Sequence, residues 1–334
     1  MNRLEAKNLV LKAGIELVNS GLIVRTWGNV SCRIDDNTFA ITPSGKEYLK
    51  LTPKDIVEVK IEDLSYKGTI KPSSENRMHR AIYKLFPDIN FIIHTHQENA
   101  SAISATELDF INLPATYPGI GDQIRCAEYA LPGTKALSNQ ALKAFKSSKG
   151  NAIILKHHGT LCIGKNYDET FKAAHELEKA CKDYIRTLGQ ELSPQKNAVY
   201  SNNGTQFLSP CPENGVFLLN NDPEVVHFTQ LGIDLKPFLD DFAQIVGTKV
   251  KKVNNDPKEI AKALKKSSAV LIKDIGALCW GKNKNDATAV SIIMKKNCKA
   301  YFTASLFGKP KPIKRLECLW MRRMYVTKYS KLAE

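Results

Sequence analysis

The sequence predicts a mixed α/β fold in which helices cover a β-sheet. Apolar residues recur at helical spacing over residues 4–20 and 168–188. Short runs of apolar and β-branched residues at 38–42 and 91–96 lie between these segments and indicate strands. Because helical and strand-type segments alternate along the chain, we expect the helices to pack against a sheet.

The first elements follow from local sequence signals. The helix predicted over 4–20 is followed by Gly21, which suits a helix C-cap because glycine tolerates the backbone angles required there. Strands are predicted at 38–42 and 56–61, with a turn-forming segment between them.

The next elements carry histidines. A helix is predicted at 75–86 and ends at Pro87, which cannot continue a helix. The runs FIIHTH (91–96) and AIILKHH (152–158) are predicted to be buried strands, and both end in histidines. Histidines of separate strands are therefore expected at the sheet.

The end of the first half is marked by a long helix and a polar segment. The helix predicted at 168–188 is flanked by Asp168 and Gly189 as caps. The stretch that follows is rich in Ser, Asn, Pro and Gly, which indicates a linker. The predicted organisation is a domain at 1–192, a linker at 193–214 and a smaller α/β domain at 215–334.

Composition indicates an ordinary globular chain. The 334 residues are 43% hydrophobic and 25% charged, enough for two domains that each bury a core. No apolar run reaches the roughly 18 residues of a membrane span. Glu5 and Lys7 interrupt the N-terminus, so no signal peptide is expected. The eight cysteines form no C-x-x-C pair, which predicts reduced thiols and a cytoplasmic location.

The positive charge is unevenly distributed. Residues 251–334 hold 20 Lys and Arg but 6 Asp and Glu, so the whole excess of +14 lies in this last quarter. An anionic partner, a membrane surface or nucleic acid is one interpretation. We favour a solvated lysine-rich surface, because the lysines are dispersed and no nucleic-acid motif accompanies them. Neither a membrane nor nucleic acid is therefore expected as a partner.

The chain contains a partial internal repeat. AIILKHHGTLCIGKN (152–166) aligns without a gap on AVLIKDIGALCWGKN (269–283). The pair His157-His158 corresponds to Asp274-Ile275 in the second copy. Residues 215–334 are therefore predicted to be a degenerate partial repeat that lacks metal ligands.

Histidines are the first candidates for chemistry. Alternate residues of a strand share a face, so His94 and His96 are expected to project together. Such a pair alone is weak evidence for a metal site and is more often explained by ordinary hydrogen-bonded strand histidines. His158 would complete a three-imidazole site with an open coordination position, as catalytic zinc requires, whereas His157 is expected to face the opposite side.

Three short segments have the composition of anion-binding turns. They contain backbone N–H groups exposed by glycine, or hydroxyl groups, and both suit phosphate. Taken singly, each segment is better explained as a structural turn or a helix cap, and only their combination with a metal site favours anion binding. The segments are GNVS (28–31), TPSG (42–45) and SSE (73–75).

Together these motifs resemble the class II aldolase/adducin family, and most closely its fuculose-phosphate aldolase branch. The resemblance covers roughly residues 1–190, and the motifs occur in the family's order and spacing. They are TWGNVS (26–31), TPSG (42–45), KPSSE (71–75), HTH (94–96) and HHG (157–159).

The resemblance implies roles for particular residues. His94, His96 and His158 would bind a zinc ion, and Glu75 would be the general acid/base. The family also uses a catalytic tyrosine from a neighbouring subunit, and Tyr117 lies in the matching region. The substrate phosphate would be bound by Gly28, Asn29, Ser44, Gly45, Ser73 and Ser74.

The resemblance also implies a fold, an assembly and a reaction. The expected fold is a three-layer α/β/α sandwich around a mostly antiparallel sheet, in a homo-oligomer with active sites at subunit interfaces. The expected activity is zinc-dependent cleavage of a ketose 1-phosphate similar to fuculose 1-phosphate, giving dihydroxyacetone phosphate and an aldehyde. The substrate would thus be a small-molecule sugar phosphate.

Three alternatives remain open within and beside this family. The 4-epimerase branch carries aspartate at the position of Glu75, so the glutamate favours an aldolase. Dehydratases of methylthioribulose phosphate are also relatives. Adducins use the fold as a non-catalytic scaffold, but they lack the metal ligands that are present here.

Overall fold

A computed structural model describes residues 1–23, 27–189 and 215–329. The chain divides into two compact units, one containing Met1–Leu188 and the other lying within Gly189–Val326. The predicted linker at 193–214 falls outside the described residues. The domain boundaries at this segment therefore stay a prediction.

The first unit is built on an eight-stranded sheet with the order β3-β2-β1-β4-β8-β7-β6-β5. Neighbouring strands are antiparallel except β6 and β7, which are parallel. The predicted mostly antiparallel sheet is confirmed. Its strands are β1 Gly28–Asp35, β2 Thr38–Ile41, β3 Val57–Lys60, β4 Phe91–Thr95, β5 Phe110–Tyr117, β6 Gly121–Ala127, β7 Ala152–Leu155 and β8 Gly159–Gly164.

Helices cover both faces of this sheet. Its helices are α1 Arg3–Asn19, α2 Asn76–Leu85, α3 Glu98–Ser104, α4 Lys135–Ser147 and α5 Tyr167–Thr187. In β4, Phe91 and Ile93 join the core formed with α1, α3 and α5, whereas Ile92 joins the core formed with α2 and α4. Alternate residues of the strand thus lie in two different cores, as expected for a sheet that is buried on both faces. The three-layer α/β/α sandwich is confirmed.

Several predicted elements differ in detail from the structure. The segment GNVS was expected to form a turn, but Gly28 opens β1 because its backbone pairs with Thr95 of β4. The predicted cap Asp168 lies in the first turn of α5. The N-cap is Asn166, whose side chain accepts a hydrogen bond from the Glu169 N–H.

The strand predicted at 152–158 is also shorter than expected. It ends at Leu155, and residues 156–158 form a turn that leads directly into β8. The backbone at His157 has a φ of +59°, in the left-handed region. Such a value ends strand pairing, so His157 and His158 are turn residues and not strand residues.

The second unit has a four-stranded sheet with the order β10-β11-β12-β9. Its strands are β9 Val216–Asn220, β10 Lys252–Val253, β11 Ala269–Ile272 and β12 Gly276–Gly281. Its helices are α6 Pro223–Gln230, α7 Asp240–Ile245, α8 Pro257–Leu264, α9 Lys284–Ser305 and α10 Arg315–Met324. None of the described helices is long and apolar enough to cross a membrane.

The internal repeat is visible in the backbone. The turn between β11 and β12 matches the turn between β7 and β8, and Asp274 has the same φ of +59° as His157. Asn283 caps α9 by accepting a hydrogen bond from Asp286 N–H, as Asn166 does for α5. The second copy therefore keeps the strand–turn–strand–helix unit of the first.

Candidate metal centre and active site

Three histidine side chains converge at one end of β4. His94 lies in β4, His96 follows it directly, and His158 comes from the turn between β7 and β8. All three are buried, and one ring nitrogen of each lies within 4.8 Å of the others. The sequence therefore predicted correctly that these three histidines come together.

The tautomer of His94 is set by its surroundings. Its Nδ1 lies 2.7 Å from the Thr160 carbonyl oxygen, which can only accept, so Nδ1–H donates this hydrogen bond. Burial lowers the pKa of His94 to about 3, against the opposing effect of Glu75, so the imidazole is neutral at pH 7. Its Nε2 lone pair is then directed toward His96, whose Nε2 lies 3.1 Å away.

This donor set fits a divalent metal ion. Neutral imidazoles suit zinc and similar transition metals, and metal-binding histidines usually donate their second ring N–H to a carbonyl or carboxylate. The contact between His94 and Thr160 has this arrangement. Three nitrogen ligands leave coordination positions open, as in catalytic zinc sites. The cluster can hold a metal ion that also contacts a substrate.

The turn geometry, and not strand alternation, separates His158 from His157. With its left-handed φ, His157 directs its ring toward Tyr129, with the ring centroids 5.3 Å apart. Its N–H donates to the Ser104 carbonyl at 2.8 Å. The expectation that His157 faces away from the cluster was correct in outcome but wrong in its reason.

Gly159 leaves space for the histidine cluster. A Cβ at this position would lie 2.4 Å from the Thr95 carbonyl oxygen and 3.3 Å from ring atoms of His94 and His96. The position needs glycine for space, because a carbonyl of the neighbouring strand cannot move away without disturbing the ladder. Gly28 is similarly close, since a Cβ there would lie 2.6 Å from the His94 carbonyl oxygen.

Glu75 lies against the same histidines. It is the N-cap residue of α2 and is buried. Its Oε1 lies 2.9 Å from His158 Nε2, and its Oε2 lies 3.1 Å from His94 Nε2. Asn29 Nδ2 donates to Oε2 at 2.9 Å. The carboxylate is thus placed at the nitrogens that would bind the metal.

The environment of Glu75 favours its ionised form. Burial raises the pKa of the carboxyl group. The attraction of the His94 and His158 imidazoles and the hydrogen bonds from His158 and Asn29 lower it by more, so the pKa lies well below its ordinary value. The group is a carboxylate that accepts hydrogen bonds from both sides.

Two segments predicted to bind phosphate lie side by side. The Ser44 N–H donates to the Lys71 carbonyl at 2.9 Å, and the Ser73 N–H donates to the Thr42 carbonyl at 3.0 Å. Ser44 and Gly45 are half-buried, and Gly45 has a φ of +74°. The pairing brings the hydroxyl-bearing residues of both segments together and uses the N–H groups of Ser44 and Ser73.

The third segment joins them through the backbone. The Thr42 N–H donates to the Val30 carbonyl at 3.1 Å, and the Val30 N–H donates to Thr42 Oγ1 at 3.2 Å. Ser73 also accepts a hydrogen bond from the Glu75 N–H at 3.3 Å, whereas Ser74 is exposed. All three segments therefore meet near Glu75, although their binding of phosphate stays a prediction.

Tyr117 occupies a different environment. It lies at the end of β5, and its hydroxyl donates to Asp183 Oδ2 at 3.0 Å. Lys179 lies above its ring at 5.4 Å from the centroid. Burial and Asp183 raise the pKa of Tyr117. The structure does not join Tyr117 to the histidine cluster, and its catalytic role stays a prediction.

Sequence reasoning missed a buried polar network behind Glu75. His79 Nε2 lies 2.5 Å from Asn29 Oδ1, and His79 Nδ1 lies 2.6 Å from Ser31 Oγ. Ser31 Oγ also lies 2.7 Å from the Tyr83 hydroxyl. One signal for it was present, since His79 follows Glu75 by four residues and so lies on the same side of α2.

The N-terminal part of the chain is similar to a known family and to proteins of known activity. The family model for the Class II Aldolase and Adducin N-terminal domain matches residues 8–185. The L-fuculose phosphate aldolase of Escherichia coli (strain K12) is 35% identical over 192 residues, covering 56% of this chain and 86% of that protein. The 5-deoxy-D-ribulose 1-phosphate aldolase of Bacillus thuringiensis serovar kurstaki is 31% identical, covering 53% of this chain and 83% of that protein.

A solved structure is also similar to the first unit. An L-fuculose 1-phosphate aldolase aligns with a TM-score of 0.51 and 33% identity. The alignment covers 55% of this chain and 87% of that chain. The similarity therefore spans most of the relative but little more than half of this protein.

Replacing His158 should remove metal binding. We expect His158→Ala to lower zinc affinity by more than about 100-fold. Losing a residue that merely orients a metal ligand lowers metal affinity by roughly 10–100-fold, and losing the ligand itself should cost more. His157→Ala is the matched control and should bind zinc as the unaltered chain does. Titration of metal-free protein with zinc measures both. Equal loss in the two variants would contradict the proposed ligand set.

Adding one methyl group at Gly159 should disturb the same site. We expect Gly159→Ala to lower zinc affinity at least about 10-fold, because Thr95, His94 and His96 must shift. Unfolding should become easier by about 1–3 kcal/mol. Gly21→Ala is the control, since it has a φ of +71° with open space and lies in the turn after α1. Unchanged zinc affinity in Gly159→Ala would show that the close approach is unimportant.

Proposed function

Because the chain belongs to the Class II Aldolase and Adducin N-terminal domain family and is a class II aldolase, we propose that it cleaves a ketose 1-phosphate. The products would be dihydroxyacetone phosphate and an aldehyde. The observation that carries this proposal is the convergence of three buried histidine side chains and the Glu75 carboxylate on one place. The phosphate-type segments that meet beside Glu75 support a phosphorylated substrate.

Zinc is the proposed metal, held by His94, His96 and His158. A bound zinc ion supplies a Lewis acid that stabilises the negative charge developing on the ketone fragment. The donor set of buried nitrogen atoms supports zinc over calcium or magnesium, which prefer oxygen ligands. Cleavage would therefore use a metal to stabilise charge and the protein to move protons.

Glu75 is the proposed general acid/base. When the bond between C3 and C4 breaks, C3 must gain a proton and the C4 hydroxyl must lose one. Asn29 donates to Oε2 of Glu75, whereas Oε1 lies 2.9 Å from His158 Nε2, which would no longer donate to it as a metal ligand. Oε1 would then carry the proton to C3 and remove it in the synthetic direction. Tyr117 of a neighbouring subunit is proposed to act at the C4 oxygen. This role rests on the resemblance to the family alone.

The paired segments would hold the substrate phosphate. The hydroxyls of Ser44, Ser73 and Ser74 would be donors to the phosphate, together with Gly45 and the start of β1 at Gly28 and Asn29, whereas the N–H groups of Ser44 and Ser73 are used in pairing the two segments. A grip on the phosphate fixes the reacting carbons at a set distance from the carboxylate, which lowers the entropic cost of reaching the transition state. We also propose that the protein is a homo-oligomer located in the cytoplasm, and this part of the proposal rests on the sequence.

The substrate class is tested with a panel of sugar phosphates. We expect zinc-loaded protein to release dihydroxyacetone phosphate from L-fuculose 1-phosphate, 5-deoxyribulose 1-phosphate or both. Coupled detection of dihydroxyacetone phosphate and of the aldehyde measures the reaction. Ribulose 5-phosphate belongs in the same panel, because its epimerisation without cleavage of the ketose 1-phosphates would contradict the proposal.

Glu75→Gln tests the proton transfer. This change keeps the shape of the side chain but removes its ability to carry a proton, so kcat should fall by about 10²–10⁴-fold. Zinc content and KM should change little, because the three histidines and the serines of the phosphate segments are unaltered. Steady-state kinetics on the best substrate and metal analysis give the result. Full turnover would exclude Glu75 as the general acid/base.

A further inference from the structure

Behind Glu75, four buried side chains form a continuous series of hydrogen bonds that the proposed reaction does not itself use. The series runs from Glu75 through Asn29, His79 and Ser31 to Tyr83. Asn29 is 4% exposed, Ser31 and His79 are not exposed, and Tyr83 is 2% exposed. Every partner is therefore another protein group, and the direction of each bond can be worked out.

The direction begins at the carboxylate. An ionised carboxylate only accepts hydrogen bonds, so the Asn29 side chain must present Nδ2 to Glu75. Asn29 then presents Oδ1 to His79 Nε2 at 2.5 Å. Since Oδ1 is an acceptor, Nε2 must carry a hydrogen and donate it.

The remaining bonds follow from the charge of His79. Burial lowers the pKa of His79 to about 4, although Glu75 raises it in part, so the ring is neutral at pH 7. A neutral imidazole has one N–H, which is on Nε2, so Nδ1 accepts from the Ser31 hydroxyl. Ser31 Oγ then accepts from the Tyr83 hydroxyl. Each member donates toward Glu75.

His79 and Glu75 together decide which way the Asn29 amide faces, because the carboxylate requires Nδ2 on its side and the imidazole N–H requires Oδ1 on the other. The oxygen and nitrogen ends of an asparagine amide have nearly the same shape, so only its partners select its orientation. Without the N–H of His79, Asn29 Oδ1 loses this donor, and only the carboxylate still constrains the amide. The Asn29 side chain can then turn away, and Oε2 of Glu75 loses the donor that holds it.

We propose that His79 is a positioning residue for Glu75, acting as the Nε2–H tautomer that locks the Asn29 amide. The proposal deepens the aldolase function given above and rests on it. The ring of His79 forms its hydrogen bonds with Asn29 and Ser31, neither of which is a proposed metal ligand. It holds the donor that keeps Oε2 of Glu75 occupied, while Oε1, which faces His158 Nε2, is the atom proposed above to exchange the proton.

The first test compares two replacements of His79. His79→Phe keeps a ring of similar shape but removes the N–H, and we expect kcat to fall at least about 10-fold, the effect of leaving a buried acceptor unpaired. KM and zinc content should change little. His79→Gln is the conservative variant, because its amide N–H stands the same number of bonds from Cβ as Nε2. Glutamine should restore most of kcat.

The second test separates positioning from support of the fold. Ser31→Ala and Tyr83→Phe each remove one hydroxyl from the same buried series, so their effects on thermal unfolding should be similar. Tyr83→Phe leaves the Ser31 hydroxyl able to donate to His79, and kcat should stay unchanged. Ser31→Ala removes that donor, so nothing at Nδ1 fixes which ring nitrogen of His79 carries the hydrogen. We therefore expect kcat to fall. These variants also decide the question if His79→Phe does not fold.

The third test needs no activity. Long-range ¹H–¹⁵N spectra of the zinc-loaded full chain should show His79 protonated at Nε2 only. Protonation at Nδ1, or at both nitrogens, would overturn the proposal, as would a fully active His79→Phe variant or equal kcat values for His79→Phe and His79→Gln. If the unaltered chain cleaves no ketose 1-phosphate, the aldolase proposal fails, and the His79 spectrum alone decides the orientation of Asn29.

Discussion

The first unit depends on satisfying a group of buried polar side chains at the centre of its sheet. Glu75, His79 and His94 are buried, and an unpaired polar group there costs about 1–3 kcal/mol. Each therefore has a protein partner: Asn29 for Glu75 and His79, and the Thr160 carbonyl for His94. The same hydrogen bonds that make burial tolerable fix the orientation and tautomer of the groups. Stability and preorganisation for catalysis have one cause here.

The sequence was informative wherever a local rule decides the structure. Alternation along a strand placed His94 and His96 on one face, and the helices over 4–20 and 75–86 follow from their apolar spacing and from Gly21 and Pro87. The α/β/α layering and the grouping with His158 came from the resemblance of motifs to a family.

The sequence was least informative where several elements act together. The turn at His157 depends on a backbone angle that Ala152–Leu155 and Gly159–Gly164 impose by pairing across it, and no local signal predicted that angle. The network through Asn29, His79 and Ser31 joins β1 to α2 over about 50 residues of sequence, as the separations of 46, 50 and 48 residues show. Pairing over such separations depends on the topology of the sheet, which local patterns do not contain.

The two copies of the repeat show which features belong to the fold and which to the site. Both have a left-handed residue in the turn and a glycine after it, and a Cβ at Gly276 would lie 2.2 Å from the Asn220 carbonyl oxygen, much as at Gly159. The close approach of turn and neighbouring strand is thus a property of the shared unit, with or without histidines. At the position of His158 the second copy has Ile275, which packs against its apolar core. The backbone supplies a place where a side chain meets the next strand, and the residue at that place decides between chemistry and packing.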